Sequence, residues 1–458
     1  MEDIANMLAC SLDFLWMDDT MLGLINSISR LPGEVLRNIV SRLPVQDAAR
    51  TAVLSTRWRR VWHSTPLVLV DAHLLPTAFS PFHFGADPRD LAHAVSTVLF
   101  AHSGPFRCVY LLGTPMETHR DEIALWLQHL SAKAVQELIF VNRAMTLDNE
   151  AHLPATLFRC TSLTKLYIGF WWFPPYLAAS QDLAFVLNRC PVLEKLLIVG
   201  SRWPVWLRVR SHSLRLVEVL LLWGAWGGGD LCNMSSVIKI VHAPKLRFLG
   251  FLVPGMHKLE IGNTVIKAQT KASPSTTVPS VKMLAVQVKL GTRIEARMLP
   301  SFLRCFPNVE TLYIQSGNDD LKFWGPQCTG AGKLNLKFWK EAGSIECVQC
   351  HIKKVVLREF RGTRSELDFL KFIAEQAQVL EKMVIVLTHG HSPSDPIGTN
   401  LRTKMASAKW ANARCELMIF QSPFHQEGTT WCFLSAFDLS NPDPFDVSKC
   451  LDGKCQNH

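Results

Sequence analysis

Apolar residues in this chain follow two different periods. Between residues 31 and 62 they recur at helical spacing, and from residue 106 onward they recur in short strand-like hexamers. In the first stretch Val35, Leu36, Ile39, Val40 and Leu43 form one stripe of a helix entered through Leu31 and Pro32, with Pro32 suited to a first turn. Pro44 ends that helix. Val45, Ala48, Ala49, Ala52 and Val53 then repeat the spacing with small residues, which predicts a second helix able to pack closely. Ser55 is placed to cap a third, on which Trp58, Val61 and Trp62 line one side and Arg57, Arg59 and Arg60 the rest. Three helices in about 32 residues leave too much apolar surface wet to stand alone, so a partner surface is expected.

The second pattern reads apolar-x-x-apolar-x-apolar. It starts at Phe106, Val135, Leu163, Leu193, Leu214, Leu246, Val281, Val309, Ile352 and Leu380, with a weaker eleventh at Cys415. The first ten starts are separated by 29, 28, 30, 21, 32, 35, 28, 43 and 28 residues, so the repeat is real but irregular. Helical spacing precedes several hexamers, as in DLAFVLNRC, PSFLRCF and ELDFLKFIAEQA. A strand and a helix stacked at this interval predict an α/β leucine-rich-repeat solenoid, with a parallel sheet on its concave side and helices on its convex side.

The segment from Leu31 to Trp62, with its order LP, LP, VLS, WR and W, resembles the plant F-box. The resemblance implies docking onto a Skp-type adaptor and, through it, a cullin. It carries Leu31, Pro32, Leu36, Ile39, Leu43, Pro44, Val53, Trp58 and Trp62 over as adaptor-binding candidates, without separating residues that touch the adaptor from residues that pack the helices. Residues 347–387 resemble the FBD region of plant F-box proteins through Ile352, Val355, Leu357, Phe360, Gly362, Glu366, Leu367, Leu370, Leu380, Glu381 and Ile385. No activity attaches to that region in the family. The expected organisation is therefore a poorly ordered leader (1–26), an F-box (27–66), a connector and first helix (67–104), repeats (105–346), an FBD-like region (347–387) and a C-terminal segment (388–458). Across the whole chain the resemblance is to the plant F-box/leucine-rich-repeat/FBD family. It implies a non-catalytic, substrate-recognising subunit of an E3 ubiquitin ligase.

Composition narrows the setting. Thirteen cysteines are spread thinly through 458 residues, unlike a disulfide framework, and fit reduced thiols in the nucleus or cytoplasm. The first residues carry Glu2, Asp3, Asp13, Asp18 and Asp19 without a basic start, a poor signal peptide, and no apolar run reaches the length of a membrane span. The net charge of +9 raises the alternatives of nucleic-acid binding or of a small anionic ligand held by the repeats. Seven arginines (30, 37, 42, 50, 57, 59 and 60) against Glu34 and Asp47 place over half of that surplus in the F-box-like segment, where steering of an acidic adaptor explains it.

Candidate chemistry is sparse. Cys347, Cys350 and His351 have the C-x-x-C-H spacing of haem attachment or half a zinc site, but further ligands at suitable spacing are missing, since Cys450 and Cys455 lie in a polar tail. No metal or cofactor is expected. Gly224, Gly227, Gly228 and Gly229 fit no phosphate loop, and His389, His391, Ser392, Ser394 and Asp395 lack a nucleophile elbow. Strand alternation instead turns two rows of hexamer side chains away from the helices. An apolar centre of Tyr167, Leu197, Phe248, Met283 and Tyr313 is expected to anchor a target protein. Lys165 and Lys195, and likewise Lys354 and Lys382, would pair across neighbouring strands and either splay into water or orient acidic flanks of the target.

Overall fold

Alternation sends the fourth and sixth residues of a hexamer to one side, and the computed structural model buries them together with the first, which in all but one of the first ten hexamers precedes the strand. It describes residues 28–74, 88–114, 116, 118–142, 152–171, 184–200, 206–220, 236–254, 256–317, 334 and 336–422. The leader, residues 75–87 of the connector, the WGAWGGGD glycines and the tail beyond residue 422 lie outside these. The chain divides into two compact units, one running to Trp172 and including Arg189–Leu193, the other holding the remainder to Asn457.

The first unit opens with three helices, α1 (Gly33–Val40), α2 (Val45–Thr51) and α3 (Thr56–Ser64). Pro32 and Pro44 stand immediately before α1 and α2, where a missing N–H costs nothing. Ser55 caps α3, accepting the Trp58 amide at 3.3 Å. Next come β1 (Leu67–Val70), α4 (Pro88–Ala101), β2 (Phe106–Leu111), α5 (Arg120–Ala132), β3 (Glu137–Val141) and β4 (Lys165–Gly169). The four strands pair in parallel in chain order. The connector expected from residue 67 thus begins with a sheet strand, because the run LVLV matches no hexamer yet fills the first ladder position.

In the second unit β5 (Lys195–Val199), β7 (Leu216–Leu220), β9 (Phe248–Leu252), β12 (Met283–Val288), β13 (Thr311–Ser316), β14 (Lys354–Phe360), β15 (Lys382–Leu387) and β16 (Glu416–Phe420) form a parallel sheet in that order. All eleven hexamers are therefore strands across the two units. The eleventh is displaced, however: Leu417 and Ile419 stand opposite Met383 and Ile385, so the inward positions are one residue earlier than Met418 and Phe420. The first apolar residues Val135, Leu163, Leu193, Leu214, Leu246, Val281, Val309 and Ile352 are each 0% exposed. Burying such a side chain contributes about 1.5–3 kcal/mol, and the repeat makes the same contribution at every step. Helices α6 (Arg293–Cys305), α7 (Leu336–Glu341), α8 (Arg364–Gln376) and α9 (Pro396–Ala406) back the later strands.

Between β5 and β12 the backing differs from the helices expected. The connections carry β6 (Trp206–Arg210), β8 (Ser236–His242), β10 (His257–Ile261) and β11 (Thr264–Val265), which form a second sheet in the order β11-β10-β8-β6. Alternating apolar and polar residues, as in WLRVR with its exposed-buried alternation, select strand over helix. A spacing of 21 residues also leaves little chain for a helix between β5 and β7.

The turn after β1 joins the three helices to the first repeat. Asp71, 0% exposed, uses Oδ2 to accept the amides of Leu112, Gly113 and Thr114 at 2.9, 2.8 and 3.0 Å and the Thr114 hydroxyl at 3.0 Å. Burial pushes its pKa up, and the four donors oppose that rise. Asp71→Ala leaves three amides without an acceptor and is expected to cost about 3 kcal/mol or more in chemical denaturation, whereas Asp71→Asn, which keeps one carbonyl oxygen, costs less.

Candidate protein-interaction surfaces

A helix stripe wider than its neighbours can cover must leave part of itself outside. On α1, Leu36 and Val40 are buried completely while Val35 and Ile39 remain 42% and 37% exposed. In the short segment after α2, Val53 and Leu54 are 56% and 41% exposed. The nine residues carried over from the F-box resemblance therefore fall into groups. Leu36 and Trp58 (4% exposed) hold the helices together. Pro32, Ile39, Pro44 and Val53 face outward, and Leu31 and Leu43 are half-buried. Trp62, also half-buried, turns toward the first repeat, its ring edge-on to His102 with centroids 5.0 Å apart. Val35 and Leu54 were missed as candidates, although a helical wheel through Ile39 would have included Val35. Ser29 fixes the entry, accepting the Trp58 indole N–H at 2.8 Å, and Arg57 clamps the carbonyls of Ser29 and Leu31. Arg30, Arg37, Arg42, Arg59 and Arg60 are exposed around these outward residues.

The sheet face opposite the helices is less open than alternation predicts. Tyr167, in the first unit, is 1% exposed; in the second, Tyr313 is 1% and Leu197 6% exposed. Only Phe248 and Met283 of the expected apolar centre are part-open. Long neighbours cover Tyr313. The Lys354 ammonium bonds its hydroxyl at 3.3 Å, and the Arg358 guanidinium lies 5.4 Å from its ring centre. The lysines are likewise met locally. Lys165 ion-pairs with Glu137, its in-register neighbour, at 2.7 Å, while Lys382, opposite Lys354, is exposed. Lys165 belongs to the first unit and Lys195 to the second.

Further along the same face runs a buried polar row that the hexamer pattern passed over, because it lies beyond the hexamer's last residue. Gln287 stands opposite Gln315, and Gln315 opposite Arg358, at 6%, 6% and 4% exposure. Glu218 on β7 shares this face, and burial pushes its carboxyl up to about 7 against the opposing pull of Arg358.

The other candidates separate. Cys347 is buried, its thiol pushed up to about 12 and directed at the Leu303 carbonyl 3.5 Å away, whereas Cys350 is exposed, so the two sulfurs do not converge. Among the described residues no group of three or more His, Cys, Asp or Glu is arranged to hold a metal. Asp395 accepts the Ser392 amide at 2.7 Å ahead of α9, ordinary turn chemistry. Gly362 has φ +76°, as a turn residue there requires. Glu366, beside it, forms a capping box with Thr363 and accepts the Ser316 hydroxyl at 2.6 Å, so its place in the FBD pattern is architectural.

Comparison with known proteins follows the same order along the chain. The F-box domain matches residues 28–69, the leucine-rich repeats described as those of the FBD-associated F-box protein At5g56370 match 123–314, and the FBD matches 340–385. Among Arabidopsis thaliana proteins, F-box/FBD/LRR-repeat protein At1g13570 is 30% identical over 185 residues, 36% of this chain and 42% of that one. F-box/FBD/LRR-repeat protein At5g22700 is 27% identical over 247 residues, 48% of this chain and 52% of the other. The match to putative F-box/FBD/LRR-repeat protein At5g22670 is 22% identical over 453 residues, 86% of this chain and 97% of the relative. The chain thus spans about half the length or less of the first two and nearly all of the third. With its F-box, leucine-rich repeats and FBD in that order, it belongs to the plant F-box/leucine-rich-repeat/FBD family.

Proposed function

We propose that this chain is the substrate-recognition subunit of a Skp-cullin-F-box ubiquitin ligase. Its three N-terminal helices dock a Skp-type adaptor, its repeats hold a target protein, and the ubiquitin chemistry belongs to its partners. The observation that carries this reading is the distribution of exposed apolar side chains. Of the twelve large ones exposed among the described residues, Ile28, Val35, Ile39, Val53 and Leu54 fall within residues 28–54, and the other seven are spread from Phe100 to Val379. So dense an outward apolar set marks an interface. The exposed arginines around it suit an acidic adaptor and speed encounter more than they deepen affinity. Holding a target raises the effective concentration of its lysines near the conjugating enzyme. No helix among the described residues is long and apolar enough to cross a membrane.

Ile39→Asp and Val53→Asp change outward side chains, so each is expected to lower adaptor co-purification at least tenfold with an unchanged denaturation midpoint; undiminished recovery from the double variant rules out the docking surface. Leu36→Ala is expected to lose about 2–5 kcal/mol of stability instead, since it empties a buried position. On the repeats, Phe248→Ala is expected to reduce target recovery, under proteasome inhibition, more than Lys382→Glu does, because the part-open aromatic can bury area while an exposed lysine contributes little. Equal recovery from both variants and the native chain places the target surface elsewhere.

A further inference from the structure

The positive charge of the chain has a second source. Residues 206–282 carry ten Lys and Arg against three Asp and Glu, a surplus of seven that exceeds the five of the F-box-like segment and that steering of an adaptor does not explain. This stretch contains the second sheet, β11-β10-β8-β6. Its strands bury one side and turn the other outward. On β6, Leu207 and Val209 are 1% and 0% exposed, while Trp206, Arg208 and Arg210 alternate with them and face out. Lys239 on β8 stands in register with Arg208, and Lys258 on β10 shares a row with Val237 and Trp206. Glu260, the one carboxylate on the four strands, is met by Lys258 at 2.9 Å and Lys239 at 3.3 Å, which hold its pKa down. It offsets one charge and leaves the face positive. Two apolar side chains stand among these cations: Trp206 is 38% exposed, and Val241, where the register between β6 and β8 slips, is 39% exposed.

We propose that the outward face of the second sheet binds a single-stranded nucleic acid, with a base stacked on Trp206 and phosphates met by Arg210, Lys239 and Lys258. An acidic protein, a lipid surface and a nucleic acid all carry the complementary charge, and the make-up of the face separates them. Six of the ten cations are lysines, which protein interfaces disfavour and phosphate backbones accept. Lipid surfaces are met by amphipathic helices with a continuous apolar side, whereas this is a sheet with two separate apolar residues. A duplex is read by an element that enters a groove, but an open strand offers unstacked bases to an aromatic ring and its backbone to surrounding cations. Each lysine ammonium has three donors, so bonding Glu260 leaves Lys239 and Lys258 able to meet a phosphate as well. The face lies behind β5, β7 and β9, on the other side from the proposed target surface, and does not rest on that reading.

The test is fluorescence anisotropy of labelled poly(U), about 12 nucleotides long, titrated with the full chain between about 50 and about 200 mM salt. Saturable binding is expected, at least tenfold tighter than to an RNA duplex of the same length. Trp206→Ala is expected to weaken it at least fivefold, and Trp206→Phe to return it to within twofold, since a phenyl ring still stacks. Arg210→Ala is expected to reduce the slope of log affinity against log salt by about 0.7, the share of one phosphate contact on a single strand. Both positions are exposed, so the melting temperature is expected to stay unchanged. Equal binding of single strand and duplex, or a poly(U) affinity indifferent to Trp206→Ala, overturns the proposal. Polyglutamate that binds as tightly as poly(U), and is weakened equally by Trp206→Ala, assigns the face to an acidic protein and overturns it as well. A lowered melting temperature in Trp206→Ala passes the decision to Arg210→Ala, whose unaltered salt slope then rejects the site.

Discussion

The structure depends on one repeated constraint: from β2 to β15 each repeat strand lies parallel to its neighbour in the ladder with the same three hexamer positions inside. The backbone enforces it at every step. The residue before a strand accepts the amide that starts the next one, as Glu194 does for Leu216, Arg215 for Phe248, Arg247 for Met283, Lys282 for Thr311, Glu310 for Lys354 and Lys353 for Lys382. Because stability is added step by step between neighbours, the connections are free to vary in length and type. Helices, strands and long insertions all occur behind the same ladder.

At the N-terminal end the limit is size. Three short helices enclose Leu36, Val40, Val45, Ala48, Trp58 and Val61 and have nothing left with which to cover Val35, Ile39 or Val53. The unit resolves this by facing two ways: Trp62 and Gln46 turn to the first repeat, the latter through a 2.9 Å bond to the Leu74 carbonyl, while the uncovered residues stay available to another protein.

Much of this was legible in the sequence for physical reasons. A period of about 30 residues survives any single irregular connection, so every hexamer strand could be placed, and Pro44 and Ser55 marked helix boundaries because their backbone chemistry is local. What escaped was set by distant neighbours. β1 lies outside the repeat pattern, and the second sheet reads as connector until its short alternations are weighed against the missing helices. At Cys415 a strand with apolar residues at both parities gave no reason to prefer one register. Outward direction did not translate into exposure: Tyr313 points away from the helices yet is covered by Lys354 and Arg358, whose reach only three-dimensional neighbours disclose. The division of the F-box residues into inner and outer sets likewise waited on how three helices meet.

The second sheet also bears on how this stretch bends. A helix behind a strand occupies about 10 Å, against about 4.8 Å for the strand in front, so repeats backed by helices fan apart. Where β6, β8 and β10 pair with one another behind β5, β7 and β9, front and back advance by the same step. The wedge that makes each repeat splay is absent there, so this stretch is expected to bend less per repeat than one backed by helices.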